Sequence, residues 1–261
     1  MEPAAMSSTP QHQSMVAESF GNRADAYVKS AVHAGGPDLA TLVATLQARG
    51  AESLLDLGCG GGHLSFHAAP LVGRVVAYDL STAMLSAVEK AAVARGLTNI
   101  ETKQGPAEIL PFADASFDVV ATRYSAHHWR DVPAALVEMR RVVRPGGRAM
   151  VMDVFAPANP LLDTHLQTLE TLRDPSHVRN YSLAEWEQML RRAGFQPQSP
   201  QSFRLRLEFA SWVERIGTPA AHIPALRSLL GHAPAEVKDH FAIEPDGSFT
   251  IDTMFMLADA A

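Results

Sequence analysis

The residues best suited to chemistry are a glycine cluster and a carboxylate that follows it. Leu54-Leu55-Asp56-Leu57 is an apolar run that stops at Gly58-Cys59-Gly60-Gly61-Gly62-His63. Such a run, cut off by glycines, reads as a short buried strand turning into a helix. Glycines at that turn take φ values a Cβ would forbid and let the backbone approach a ligand. Asp79 ends the next apolar run, Arg74-Val75-Val76-Ala77-Tyr78. It lies about 20 residues beyond the turn, where nucleoside-binding α/β folds place a carboxylate that accepts from ribose hydroxyls. The other reading of Asp79 is a cap on the helix that follows, a role Ser81 can fill. A dinucleotide fingerprint would need glycine where His63 stands, which weighs against a nicotinamide-dependent oxidoreductase, and no Gly-Lys-Ser or Gly-Lys-Thr follows to make a phosphate loop.

Two further stretches carry reactive side chains. Thr122-Arg123-Tyr124-Ser125-Ala126-His127-His128-Trp129 follows an apolar run at 117–121, so it belongs at the carboxyl end of a strand, where open α/β sheets bind ligands. Asp174 to Tyr181 is a polar loop in which His177, Arg179 and Tyr181 can read an acceptor.

The elements that must position these groups follow from periodicity. Val16, Phe20, Ala24, Tyr27 and Ala31 stripe a leading helix closed by Gly35-Gly36-Pro37, and Leu39, Leu42, Val43 and Leu46 stripe the next. After the second strand, Met84, Leu85, Val88, Ala91 and Ala92 face the sheet from a helix that ends at Gly96. Strands are expected at 99–103, 117–121 and 149–155, the last entered through a type II turn at Pro145-Gly146. His165 falls on the apolar face of a helix and reads as packing. Ser182-Leu183-Ala184-Glu185 is a capping box, Phe195 begins a sixth strand, short helices are expected over 209–240, and a closing strand over 248–257. The division expected is a disordered 1–14, a helical cap 15–50, a core 51–202, a helical insertion 203–241 serving as lid or interface, and a closing strand within 242–261.

Taken together, Asp56-Leu57-Gly58-Cys59-Gly60-Gly61-Gly62, Asp79-Leu80-Ser81 with Met84-Leu85, Leu110-Pro111-Phe112 with Ser116-Phe117-Asp118, and Arg144-Pro145-Gly146-Gly147 resemble the class I S-adenosylmethionine-dependent methyltransferases. Within them the chain is most similar to the bacterial small-molecule branch that includes the ubiquinone and menaquinone methyltransferases. The resemblance runs from about Phe20 to Phe195. It implies an α/β fold, a Rossmann-like seven-stranded, mostly parallel sheet with helices on both faces. It also implies S-adenosylmethionine as cofactor, S-adenosylhomocysteine as product, and direct in-line transfer of a methyl group to O, C or N of a small molecule. The cofactor-binding residues it implies are Asp56, Gly58, Gly60, Gly62, Asp79, Leu80 and Met84 beside adenine, Ala107 and Glu108, with Pro106 standing where the family often has Asp. Arg123 would meet the methionyl end or form a salt bridge at the sheet edge. Tyr27 and Arg23 would touch the cofactor from the leading helix, or serve as packing and as a solvated face. His127 and His128 resemble the paired histidines of the quinone branch, where one orients the acceptor or takes its proton near neutral pH.

Composition sets limits on the rest. At 261 residues and 47% hydrophobic, the chain can bury one full core with additions. Its single cysteine, Cys59, rules out a disulfide framework and a thiolate cluster. A net charge of −6 and the lack of an Asn- or Asp-Pro-Pro-aromatic motif after the fourth strand argue against nucleic acid as partner. No run is long enough to span a membrane, no metal-ligand spacing is found, and the expected setting is cytoplasmic, as a monomer or homodimer. The rival from another class is a protein that binds S-adenosylmethionine or S-adenosylhomocysteine without turnover.

Overall fold

The computed structural model describes residues 11–28 and 34–260. Ala31 and residues 1–10 of the expected disordered segment lie outside the described residues.

Strand β1 (Ala51–Leu57) lies between β2 (Val72–Asp79) and β4 (Phe117–Arg123), parallel to both, with Leu57 opposite Tyr78 and Leu55 opposite Val120. β3 (Ile100–Gln104) extends the sheet beyond β2, and β5 (Val143–Val154) extends it beyond β4. β8 (Phe249–Ala260) returns antiparallel along β5. The order is β3-β2-β1-β4-β5-β8 followed by the short strand Phe195–Pro197, with one further strand also on β8. The chain steps outward from β1 to β3 and then crosses back to β4, so strand order reverses between β1 and β4. A ligand crevice opens at such a reversal, outside the carboxyl ends.

The last four residues of β1 are all buried because both faces of the sheet are covered. Leu55 and Leu57 face α6 (Val132–Val142) and α8 (Leu183–Arg192), while Leu54 faces α3 (Pro37–Arg49) and α4 (His63–Ala68). α5 (Thr82–Ala94) starts at Ser81, whose hydroxyl accepts from Met84 N–H at 3.3 Å, and packs Leu85, Val88, Ala91 and Ala92 beside Ala77. The capping box at Ser182 forms as expected, with Glu185 bonded back to the Ser182 N–H at 2.8 Å.

Several boundaries differ from the expectation. The stretch 11–14 is helical, because α1 (Gln11–Gly21) begins at Gln11 and α2 (Ala24–Val28) follows it over the sheet edge. The sixth strand is split into β6 (Phe195–Pro197) and β7 (Gln201–Leu207), both antiparallel to β8, so the seven-stranded plan carries eight segments. Residues 203–207, assigned to the insertion, therefore belong to the sheet, and Leu207 pairs with Phe249. The insertion proper is α9 (Phe209–Ile216), α10 (Ile223–Gly231) and α11 (Ala235–Phe241). Its apolar residues share a core with Leu166 and Leu169 of α7 (Pro160–Arg173) and with Ile251 of β8. Since β7 ends and β8 begins at the carboxyl edge of the parallel strands, this satellite core sits at the ligand end of the sheet.

Candidate active site

The turn after β1 is shaped by what its backbone must meet. Gly58 has φ +71°, and a Cβ there would fall 1.9 Å from Ser125 Oγ, so only glycine lets the turn and the loop after β4 approach this closely. Gly60 has φ +48° with open space where its Cβ would project. Its N–H donates to Asp79 Oδ2 at 2.9 Å, and Ser81 N–H donates to Oδ1 at 2.9 Å. A carboxylate has about four lone-pair directions, so Asp79 retains acceptor capacity for two hydroxyls. Burial raises its pKa, against which the Ser81 and Gly60 N–H groups work.

These groups line a cleft of about 1000 Å³. It brings together Asp56, Gly58, Gly60, Asp79, Leu80, Ala107, Glu108, Arg123, Tyr27 and His128. The size and the mixture of apolar walls with a few convergent polar groups fit a nucleoside with an amino-acid tail. Several residues in this set also serve the scaffold. Asp56 accepts from Ser65 N–H at 3.0 Å and Oγ–H at 2.6 Å, which ties α4 to β1, and burial pushes its pKa up to about 7. Glu108 accepts from the backbone N–H groups of Arg130 and Asp131 at 3.1 and 3.3 Å and from Gln13, so it braces the rim. Arg123 lines the cleft, and its Nε lies 2.5 Å from Asp38 Oδ2 in a buried ion pair, the second of the two roles expected for it. Burial, with Asp79 and Asp56 nearby, holds the Cys59 thiol well above the ordinary cysteine range.

Two residues expected at the cofactor do not line the cleft. Met84 is fully buried and packs with Ala24 and Ala87 beneath α1 and α2. Gly62 caps α4, and its Cα faces Phe66 and Val88. Both lie one layer below the cavity surface, because the helix that follows each turn directs them into the core. Arg23 is also absent from the lining, and its guanidinium donates to the Ser19 carbonyl at 3.1 Å. Gln13, Val16, Ser125, Trp129 and Arg130 line the cleft without having been singled out. Gln13 lies in a Ser/Gln-rich stretch whose composition conceals its helix.

A second cavity of about 630 Å³ shares Phe20, Tyr27, Tyr124 and His128 with the first. His127 lines it, with Nδ1 2.6 Å from Asp153 Oδ1. Asp153 is fixed in turn by the N–H groups of Ala126 and Val154, at 3.1 and 2.8 Å. Burial lowers the His127 pKa, but the charge and hydrogen bond of Asp153 outweigh it, and the net shift is upward. His128 is held the opposite way. Burial and the charge of His127 bring its pKa well down, and its Nδ1 meets the Ser176 carbonyl at 3.1 Å. His127 with Asp153 thus forms a base–carboxylate pair in which Nδ1–H is oriented and Nε2 carries the basic lone pair.

The loop 174–181 brings a different residue to a cavity from those expected. His177 stacks behind the paired histidines, 5.6 Å from the His127 ring, and bonds Gln167. Arg179 pairs with Asp163 at 3.2 Å and with Glu185 at 3.6 Å, and Tyr181 packs on Trp186. None of the three lines either cavity. Val178 and Arg179 donate their N–H groups to the His127 carbonyl, which turns the loop's side chains away. Asn180 is the loop residue that lines the second cavity. Glu170, Arg173 and Arg215 line it as well and were not foreseen. Among the described residues no group of His, Cys, Asp and Glu could hold a metal ion, and no helix is long and apolar enough to cross a membrane.

Comparison with known proteins agrees with this geometry. A family described as a methyltransferase domain matches residues 55–151, the stretch that carries the glycine turn, Asp79 and the histidine loop. An uncharacterized protein of Escherichia coli, YafE, is 50% identical over 78% of this chain and 99% of its own length. The 2-phytyl-1,4-naphtoquinone methyltransferase of Synechococcus elongatus is 33% identical over 61% of this chain and 71% of its own. The crystal structure of the YcgJ protein from Bacillus subtilis superposes with a TM-score of 0.81 at 35% identity, covering 85% of this chain and 97% of that one. With the sheet order, the glycine turn and the carboxylate at the end of β2 in place, the chain belongs to the class I S-adenosylmethionine-dependent methyltransferases.

Proposed function

We propose that the protein methylates a small molecule held in the second cavity, at an atom that must lose a proton, with His127 as the base. The observation that carries this reading is the shared wall. Phe20, Tyr27, Tyr124 and His128 border both cavities, so an acceptor beside His127 adjoins whatever fills the cleft. The residues that would hold S-adenosylmethionine are the Gly58–Gly60 backbone, Asp79 for the ribose, and Leu80 and Ala107 against the base. Bound there, S-adenosylmethionine would supply an electrophilic methyl group, and His127 Nε2 would take the proton that the acceptor gives up.

The chain's contribution is alignment, exclusion of water and proton removal. Asp153 fixes the His127 tautomer, and the neutral His128 packs edge-on against Phe20 at 4.9 Å in the shared wall. A hydroxyl or an acidic carbon is the acceptor that needs such a base, whereas an amine gives up its proton to solvent. The expected setting is the cytoplasm, with no nucleic acid partner. Incubation with S-adenosylmethionine labelled in the methyl group and a metabolite extract tests the reading: labelled product supports it. Binding of S-adenosylhomocysteine with no product from any extract would leave the rival, a protein that binds without turnover.

A further inference from the structure

The polar end of the second cavity has more positive charge than its own carboxylate balances. Arg173 and Arg215 both line it, from the end of α7 and the last turn of α9. Arg173 is engaged three ways: NH1 lies 3.4 Å from Glu170 Oε2, Nε donates to the Trp212 carbonyl at 3.1 Å, and its guanidinium stacks on the Trp212 ring at 5.1 Å. Arg215 is partly buried and has no hydrogen bond or ion pair among the described residues. Burial and the neighbouring charge of Arg173 both press its pKa down. The other charged groups nearby are committed elsewhere. Asp174 Oδ1 accepts from Ser176 and its Oδ2 lies 3.9 Å from the neutral His128, outside the cavity lining, while Asp153 holds His127 and Arg23 donates to Ser19.

A second feature points into the same space. Asn180 is 2% exposed and lines the cavity, yet neither its Oδ1 nor its Nδ2 has a partner. A buried amide without a partner is unfavourable, and one that lines a cavity has both its donor and its acceptor free for a ligand. The remaining lining is apolar or aromatic, from Tyr27, Tyr124, Leu205 and Ile251.

From this arrangement we infer that the methyl acceptor is a carboxylic acid with an apolar or aromatic body, its carboxylate paired with the Arg215 fork and a second polar group bonded to the Asn180 amide. A guanidinium in the cavity wall with no partner among the described residues calls for an anion, and a planar carboxylate matches its two parallel N–H groups. The inference rests on the methyl-transfer reading and names the substrate class for that site.

The test fractionates an Escherichia coli metabolite extract on an anion-exchange resin and incubates each fraction with the protein and methyl-labelled S-adenosylmethionine. Label should enter the retained fraction, and the signal should vanish when that fraction's carboxylates are first converted to methylamides with carbodiimide and methylamine. Arg215→Gln should raise the half-saturating dose of the retained fraction at least tenfold, Arg215→Lys should restore part of it, and S-adenosylhomocysteine affinity by calorimetry should not change, since Arg215 lies outside the cofactor cleft. Product from the unretained fraction, survival of the signal after amidation, or an unchanged dose response in Arg215→Gln would each overturn the carboxylate while leaving methyl transfer intact. Absence of label from every fraction, with S-adenosylhomocysteine still bound, would remove the transfer reading and this inference together.

Discussion

At the scale of single residues, the proposed reaction divides the work between Asp79 in one cavity and His127 in the other. Asp79 already spends one lone pair on Gly60 and one on Ser81, so its remaining acceptors can bind hydroxyls without breaking the turn. Asp79→Ala should weaken S-adenosylhomocysteine by roughly 10- to 100-fold, or 1.5–3 kcal/mol, because charge-assisted hydrogen bonds are worth about that much. Calorimetry showing wild-type affinity would end the ribose assignment. His127 acts only when its Nε2 is unprotonated, and Asp153 raises its pKa above the ordinary histidine value. kcat/KM should therefore climb with pH through that raised pKa and level off above it. Asp153→Asn removes the charge that holds the proton, so the rising limb should move to lower pH. His127→Gln should lose roughly 10²- to 10⁴-fold in kcat and the limb itself, with S-adenosylhomocysteine affinity retained. A pH profile left unmoved by Asp153→Asn would exclude His127 as the base.

At the scale of elements, the sheet and its helices were legible wherever one element carried its own signal. The Gly58 turn, Asp79 and Ser182 each sit within a few residues of the feature that explains them. β7 also had a signal, because Phe203-Arg204-Leu205-Arg206-Leu207 alternates strictly, but it lies beyond Phe195, where the family resemblance ends. The acceptor cavity was not legible. Asn180, Arg173 and Arg215 come from a loop and two helices, and their juxtaposition exists only once α9 has folded back on α7. That folding depends on the satellite core, where Phe241 is fully buried and stacks near His165 at 5.7 Å. Phe241 lines neither cavity. Phe241→Ala should cost about 3–5 kcal/mol, the usual penalty for emptying a buried aromatic site. Urea denaturation should show a lower midpoint while S-adenosylhomocysteine binding to the folded variant persists. A loss below about 1 kcal/mol, within the range of surface changes, would mean that the three helices are not packed as one unit with α7.

At the scale of the whole molecule, α1 and α2 link the two cavities. His12 bonds the Ser176 carbonyl of the acceptor loop at 3.0 Å, Gln13 reaches Glu108 on the cofactor rim at 3.4 Å, and Phe20 and Tyr27 line both spaces. A ligand in the cleft therefore adds contacts to the same helices that wall the acceptor site. Its binding to the folded state alone stabilises the protein by RT ln(1 + [L]/Kd), about 2.7 kcal/mol at a hundredfold excess. Part of that gain falls on α1 and α2, which carry Phe20 and Tyr27 into the walls of both cavities. Amide hydrogen exchange should consequently slow across residues 11–28 when S-adenosylhomocysteine is added. The amides of α8, which packs on the sheet away from both cavities, should respond only through the global term. Because those helices must be ordered before the second cavity has its wall, cofactor should bind first and acceptor second, and S-adenosylhomocysteine should inhibit competitively against S-adenosylmethionine and noncompetitively against acceptor. Equal slowing of α8 and residues 11–28, together with random-order kinetics, would show that the leading helices do not couple the sites.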